Sequence, residues 1–132
     1  MKYEEAVSIV SKNPGESFTG IILTKKDTFL AVYVISSDEE DPDWVTVSYE
    51  AGYLFSYSGE EDCFSLDEIP EDVLAELKKI DFKSSINLPN ILGLTSDYVL
   101  YKLFPNLPNP DNADKSKFIS AAKVCVNKWN EM

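Results

Sequence analysis

Two neighbouring stretches, SFTGIILT and TFLAVYVIS (17–24 and 28–36), constrain the fold most, because they are nearly continuous runs of apolar, β-branched and aromatic residues. Runs of this composition and length are typical of β-strands. Lys25-Lys26-Asp27 separates them, which predicts an antiparallel hairpin. A strand with one solvated face alternates apolar and polar residues, whereas these two do not. We therefore expect the sheet to be covered on both faces.

The segments WVTVSY and YLFSYS predict a second hairpin with Glu50-Ala51-Gly52 as its turn. A three-residue turn whose glycine is left-handed pairs Tyr49 with Tyr53 and gathers the apolar side chains on one face. Trp44 then lies on the opposite face. The two hairpins together predict an antiparallel meander of about four strands.

Helical spacing of apolar residues predicts three or four helices around this sheet. The first covers 2–12 and is stopped by Asn13-Pro14-Gly15. Another starts either with a Ser65–Glu68 capping box or with Pro70 as its first helical residue. Segments 95–104 and 115–132 are further helices, with a proline-rich loop at 105–114 between them. The sequence thus predicts one α+β domain over residues 1–132.

The composition restricts the chemistry of the protein. Its 132 residues contain no His, Arg or Gln, and all twelve basic residues are lysines. Without His, no side chain has an unperturbed pKa near neutrality, and without Arg there is no bidentate fork for phosphate. We therefore expect no catalytic residue, no cofactor and no metal, and an enzyme is the class least favoured.

Two local features suggest chemistry, but neither fits its motif or its environment. Counting from Asp38, an EF-hand loop needs Gly at the sixth position and Glu at the twelfth, where this chain has Asp43 and Tyr49. Cys63 follows three acids, which discourage its thiolate. No apolar run is long enough for a membrane span and no signal-peptide pattern is present, so we expect a cytoplasmic protein with Cys63 and Cys125 as free thiols.

Negative charge is the most uneven property of the chain. The net charge is −11, and residues 27–77 hold fifteen acids and no base. Five acids lie between positions 38 and 43, and three more lie at 60–62. In a meander of neighbouring strands, loops 37–43 and 59–62 lie at the same end of the sheet as Glu16. Strands are about 4.8 Å apart and the Debye length is about 8 Å, so we expect one merged acidic patch.

The patch has two interpretations. Acidic loops often serve only solubility and keep sheet edges unpaired. Alternatively, a folded acidic face docks on a basic surface, as phage inhibitors and immunity proteins do when they block nucleic-acid-binding proteins. The expected partner is then a basic protein such as a nuclease, with no direct contact to nucleic acid or membrane. The expected partner-binding residues are Asp38, Glu39, Glu40, Asp41, Asp43, Trp44, Glu60, Glu61 and Asp62.

The exposure of Trp44 distinguishes between these two interpretations of the acidic patch. Trp44 is a core residue if helices cover both faces completely, and an anchor for a protein partner if it is exposed.

Two alternatives stay open at this level. The second candidate function is small-molecule binding, in a pocket between the sheet and the C-terminal segment that is lined by Tyr98, Tyr101 and 105–114. Long irregular loops such as 105–114 often carry function. A homo-oligomer is the other, in which lysines of the C-terminal helix bind the acidic patch of another copy.

Overall fold

A computed structural model describes residues 1–24, 29–37, 40–41, 44–53, 60–85 and 115–131. Over these ranges the protein is an α+β fold with an antiparallel sheet in the order β4-β3-β2-β1-β5. The strands are β1 (Ser17–Thr24), β2 (Phe29–Ser37), β3 (Val45–Tyr53), β4 (Glu60–Ser65) and β5 (Lys83–Ser84). The helices are α1 (Tyr3–Lys12), α2 (Glu71–Leu77) and α3 (Lys115–Glu131), with a 3-10 helix at Leu66–Glu68.

The first hairpin and the meander are confirmed. Strands β1 and β2 pair from Ser17–Ser36 to Thr24–Phe29, and β2, β3 and β4 follow as antiparallel neighbours. The described sheet has five strands rather than four, because the short strand β5 pairs with β1 through Phe18 and Thr19. Two residues are too few for a periodic pattern, so the sequence did not indicate β5.

Cover on both faces of the first hairpin is also confirmed. One face buries Phe18, Tyr33 and Ile35 in a core that includes residues of α1 and α2. The other face buries Ile21 and Val32, and α3 packs on β1 and contributes buried residues of its own. The sheet is therefore the middle of three layers, and the near-continuous apolar runs follow from that position.

The predicted second hairpin is wrong in its turn and its register. Strand β3 continues through Glu50-Ala51-Gly52, whose partners are Val32, Ala31 and Leu30 of β2. The nine residues of β2 provide a full ladder for β3, and those long-range hydrogen bonds outweigh the local preference of a glycine for a turn. Strand β4 consequently pairs Phe64 with Val47 and Asp62 with Tyr49.

Helix α1 forms as predicted. Ala6 and Val10 are buried on its inner face, and the Asn13 N–H donates to the Ile9 carbonyl at 3.0 Å. Gly15 then adopts a positive φ of 87°, a conformation that favours glycine.

The start of α2 differs from both sequence-based alternatives. Ser65 makes no side-chain cap and precedes only the 3-10 helix, while α2 begins at Glu71 with Pro70 one position earlier than predicted, at the N-cap. Glu71 and Asp72 lie in the first turn, as the helix dipole favours.

Aromatic residues connect the sheet to α2. Tyr33, Tyr49 and Phe64 stack across β2, β3 and β4, with ring centroids 5.6 and 5.8 Å apart. The buried Tyr33 hydroxyl donates a 2.5 Å hydrogen bond to the Glu76 carboxylate of α2. Burial and this carboxylate raise the pKa of Tyr33 far above its ordinary value of 10.0.

The chain after α2 is held by the N-terminus. The Met1 ammonium lies 2.6 Å from the Asp81 carboxylate and donates to the Phe82 carbonyl, while the Phe82 N–H donates to the Met1 carbonyl. The hydrogen bond from the ammonium lowers the pKa of Asp81. This junction fixes Phe82 beneath the sheet.

Candidate functional site

One end of the sheet gathers acids from three separate segments. Ser17 of β1 pairs with Ser36, Ser37 of β2 faces Val45, and Thr46 of β3 pairs with Ser65 of β4, so these strand termini are neighbours. The segments that leave from them carry the charge. We define the acidic end as Glu16, Glu40, Asp41, Asp67 and Glu68.

The exposure of these residues makes the acidic end a surface. Glu40, Asp41, Asp67 and Glu68 are exposed, and Glu16 is half-buried. The 3-10 helix that carries Asp67 and Glu68 contacts both β3 and β4, so its acids belong to the sheet rather than to a distant helix. Like charges at this density repel one another and favour a basic partner.

Trp44 lies at the same end and is exposed. Its backbone N–H donates to the Asp41 carbonyl at 3.0 Å, and Val45 starts β3 directly after it. The side chain is 55% exposed, although it precedes a strand whose Val45 and Val47 are buried. Cover of the sheet is therefore incomplete here, and the core alternative for Trp44 is wrong.

The acids at 60–62 do not join this group. They lie inside β4 and pair with Ala51, Glu50 and Tyr49, instead of forming a loop beyond the strand. Asp62 and Glu60 lie three and five residues before Ser65, which is about 10 and 17 Å along a strand, or about one and two Debye lengths. The loop predicted at 59–62 is thus wrong for these acids, which extend away from the acidic end along β4.

Asp67 and Glu68 are the members of the acidic end that sequence reasoning missed. The capping-box alternative places them at the start of a helix, and the Pro70 alternative places them just before it. A helix that starts near Pro70 leaves residues 66–69 outside it, next to the end of β4. The position of Pro70 is therefore the signal that could have placed Asp67 and Glu68 at the acidic end. Asp38, Glu39 and Asp43 fall outside the described residues and remain predictions.

Other chemistry is sparse in the described part of the chain. Its Cys, Asp and Glu side chains form no group of three or more that could hold a metal ion. Cys63 is an exposed free thiol on β4, and its Sγ accepts a 3.5 Å contact from the Ser48 hydroxyl. Within the described ranges, no helix is both long and apolar enough to cross a membrane.

A groove of about 250 Å³ lies between β1 and α3. It is at the far end of β1 from the acidic end, near Thr24. We call it the β1–α3 groove; its lining residues are Ile22, Leu23, Lys123, Val126, Asn127 and Asn130. Leu23 and Val126 supply apolar groups to it, whereas the side chain of Ile22, the residue before Leu23 in the strand, packs against the core on the opposite face of the sheet.

The sequence indicated a pocket in this layer but with other residues. Tyr98, Tyr101, the 95–104 helix and the 105–114 loop lie outside the described residues. On the last helix, Ala122 and Trp129 are buried, whereas the side chains of Phe118 and Cys125 are not described. Lys123, Asn127 and Asn130 recur at helical spacing, which is the one pattern that could have marked this face.

No family model, no curated protein and no solved structure matches this chain.

Proposed function

We propose that this protein is a non-enzymatic binding protein that docks its acidic end on a basic surface of a protein partner and blocks that surface. A nuclease or another nucleic-acid-binding protein is the class of partner that fits, because such proteins concentrate positive charge where they hold phosphates. The proposal requires no cofactor, no direct nucleic-acid contact and no membrane. Its setting is the cytoplasm, where Cys63 would stay reduced.

The exposed Trp44 is the observation that carries the proposal. Charge alone steers a partner and sets the association rate, but it contributes modestly to affinity at an exposed rim. Large aromatic side chains are the residues that most often dominate the free energy of binding. At the acidic end, Trp44 lies within four residues of Glu40 and Asp41, so one surface supplies both the steering charge and the anchor.

The second acid group, Glu60, Glu61 and Asp62 on β4, has a separate place in the proposal. Strand β4 ends the sheet order, and Asp62 is exposed on it. We retain these residues as partner-binding candidates that widen the footprint of the acidic end rather than form its centre.

Three charge-reversal variants separate these roles in a pull-down from host lysate at low salt. The first changes Glu40, Asp41 and Asp67 to Lys, the second changes Glu60, Glu61 and Asp62, and the control changes the exposed Glu4, Glu5 and Glu131. All three alter the net charge equally. We expect a basic protein that wild type and control capture and that the first variant loses, with captured amounts falling as salt rises.

The second variant measures the size of the footprint. Loss of capture in both test variants extends the interface to β4, and loss in the first alone limits it to the acidic end. If all four proteins capture the same set, or if capture does not change with salt, the acids are only solubilising and the proposal fails. Size-exclusion chromatography at low salt tests the alternative of self-association through the lysines of α3.

Replacing Trp44 with alanine should weaken partner binding strongly while the fold stays intact. A buried aromatic anchor at an interface contributes about 2 kcal/mol or more, which corresponds to about 30-fold in affinity. An exposed side chain outside the core changes the free energy of unfolding by only about 0.5 kcal/mol. Val124→Ala on α3 is a matched control, since Val124 is similarly exposed at 54%.

The measurement for Trp44 combines affinity for the captured partner with urea unfolding. Unchanged affinity in Trp44→Ala would remove the anchor from the proposal. A large loss of stability would instead show that Trp44 packs against the rest of the protein.

A further inference from the structure

Strand β4 lies at one end of the sheet and pairs with β3 along only one of its two sides. Along the other side, no strand accompanies it in the part of the chain that the structure describes. We call this outer side of Glu60–Ser65 the β4 edge. A free strand edge presents a row of backbone N–H and C=O groups, to which another extended chain can pair.

The Cys63 amide shows which backbone groups face the β4 edge. Its N–H donates to the Asp62 carboxylate at 2.8 Å, so it is directed away from β3. Successive residues of an antiparallel strand alternate in the direction of their backbone groups. Glu61 and Ser65 therefore turn theirs outward together with Cys63, whereas Asp62 turns its own toward β3.

The β4 edge is accessible at its centre. Asp62 and Cys63 are both exposed. The hydrogen bond between the Asp62 carboxylate and the Cys63 N–H is local and lies in solvent, where an exchange of partners changes the free energy little. A carbonyl oxygen from an added strand can therefore replace the carboxylate, which is then free to pair with a cation.

Charge decides what the added strand must carry. Residues 60–62 are three successive acids, and no basic residue lies between positions 27 and 77. Residues that face each other across a strand pair lie about 5 Å apart, where opposite charges attract and like charges repel. A second copy of β4 would set acids against acids. A segment rich in Lys or Arg complements them instead.

We propose that the β4 edge binds an extended basic segment of the protein partner as an added strand. Outward backbone groups of Glu61, Cys63 and Ser65 would hold the segment, and its basic side chains would neutralise the acids of β4, Asp62 first. Strand addition of this kind takes its affinity from main-chain hydrogen bonds and its selectivity from side chains. The inference rests on the proposed basic partner and specifies how one part of that partner binds.

Three peptides test this mode of binding by NMR titration of the full chain. The first is acetyl-TKVKVKT-amide, the second is the same peptide N-methylated at every lysine and valine, and the third carries glutamate in place of lysine. We expect the first to saturate the amide resonances of β4 and to slow hydrogen exchange of the Cys63 amide. The other two should bind at least about tenfold more weakly, since each lacks the hydrogen bonds or the charge. The proposal is overturned if the first peptide does not saturate at millimolar concentration, or if the N-methylated peptide binds equally well.

Proline variants test the direction of the backbone groups. Cys63→Pro removes an outward N–H, which an edge strand tolerates, so this variant should stay folded and lose the lysine peptide. Cys63→Ser is the control that keeps the amide, and it should bind like wild type. Asp62→Pro removes an N–H of the ladder with β3 and should lower the free energy of unfolding far more. Equal losses of stability in the two proline variants would place the Cys63 N–H in that ladder and overturn the inference.

Asp62→Lys tests the charge and leaves the backbone unchanged. It should weaken binding of the lysine peptide and strengthen binding of the glutamate peptide. Unchanged preference between the two peptides would contradict the role of the acids in selecting a basic segment.

Lysate capture separates this inference from the proposed function, because Cys63→Pro does not alter Trp44 or the acidic end. If Cys63→Pro keeps the partner and the variant at Glu40, Asp41 and Asp67 loses it, the edge inference fails and the proposed function stands. Loss in Cys63→Pro alone makes the β4 edge the interface and overturns docking by the acidic end. Capture that neither change affects removes both.

Discussion

Replacing Gly20 with alanine is expected to lower the free energy of unfolding by about 3 kcal/mol, the upper part of the range for overpacked cores. Gly20 is buried in the middle of β1, opposite Tyr33. A Cβ atom there would clash with Cγ2 of Ile80 and lie 3.0 Å from the Phe82 ring. Both residues are only 1% exposed, and the branched Ile80 side chain is stiff, so neither can move away without disturbing the core.

Urea unfolding of wild type, Gly20→Ala, Ile80→Ala and the double variant measures this contact. Ile80→Ala removes the clashing methyl group and leaves only the tight contact with the Phe82 ring, so Gly20→Ala should cost much less stability in the Ile80→Ala background than in wild type. Such non-additivity is the mark of two residues in direct contact. Strictly additive losses would contradict the close approach of Ile80 to β1.

Gly15→Ala is a matched control for the glycine itself. Gly15 is exposed and has a positive φ, so alanine there meets backbone strain but no core side chain. We expect a loss of about 1 kcal/mol, which no substitution of Ile80 should relieve.

The parts of the fold that sequence predicted well are those in which local pattern and tertiary position agree. Continuous apolar runs fix β1 and β2 as strands buried on both faces, and Pro14 with Gly15 ends α1. The error at Glu50-Ala51-Gly52 has the opposite origin. Gly52 favours a turn locally. The strand that pairs with these three residues and keeps β3 extended is β2, fifteen or more residues earlier in the chain.

That single error had consequences for the candidate site. Moving the turn beyond Tyr53 transfers Glu60, Glu61 and Asp62 from a loop into β4, and it brings Asp67 and Glu68 to the acidic end instead. The amount of charge was therefore predictable from composition, whereas its partition between two surfaces depended on one strand register. A shift in register moves every residue of a strand, and local propensity does not determine it.

The β1–α3 groove could not be predicted from the sequence, for a different reason. Spacing of Lys123, Asn127 and Asn130 marks one polar stripe on α3, but nothing in it selects Leu23 as the facing residue of β1. A buried acceptor without a donor in the described part of the chain, such as Asn130 Oδ1, is a property of packing that only the three-dimensional structure reveals.

Stability should fall steeply at high pH because of Tyr33. The hydroxyl has an ordinary pKa of about 10 in the unfolded chain, and in the folded protein burial and Glu76 raise the pKa well above that value. Above pH 10 the unfolded state therefore loses a proton that the folded state keeps. Linkage then requires the free energy of unfolding to fall by about 1.4 kcal/mol for each further pH unit, while below pH 10 the contribution of Tyr33 is fully present.

Tyr33→Phe isolates this effect from the titration of lysines and other tyrosines. At neutral pH the variant should be less stable by about 1.5 kcal/mol, because Glu76 loses the donor that reaches it at 2.5 Å. The difference from wild type should shrink above about pH 10 and reverse near pH 11, since phenylalanine has no proton to lose. Urea unfolding from about pH 8 to pH 11 measures the free energy of unfolding of both proteins. Tyr3→Phe is the control, because the pKa of Tyr3 is also raised, but less than the pKa of Tyr33. Parallel curves for wild type and Tyr33→Phe over the whole range would mean that the Tyr33 hydroxyl is solvated in the folded protein and that α2 is not held to the sheet through Glu76.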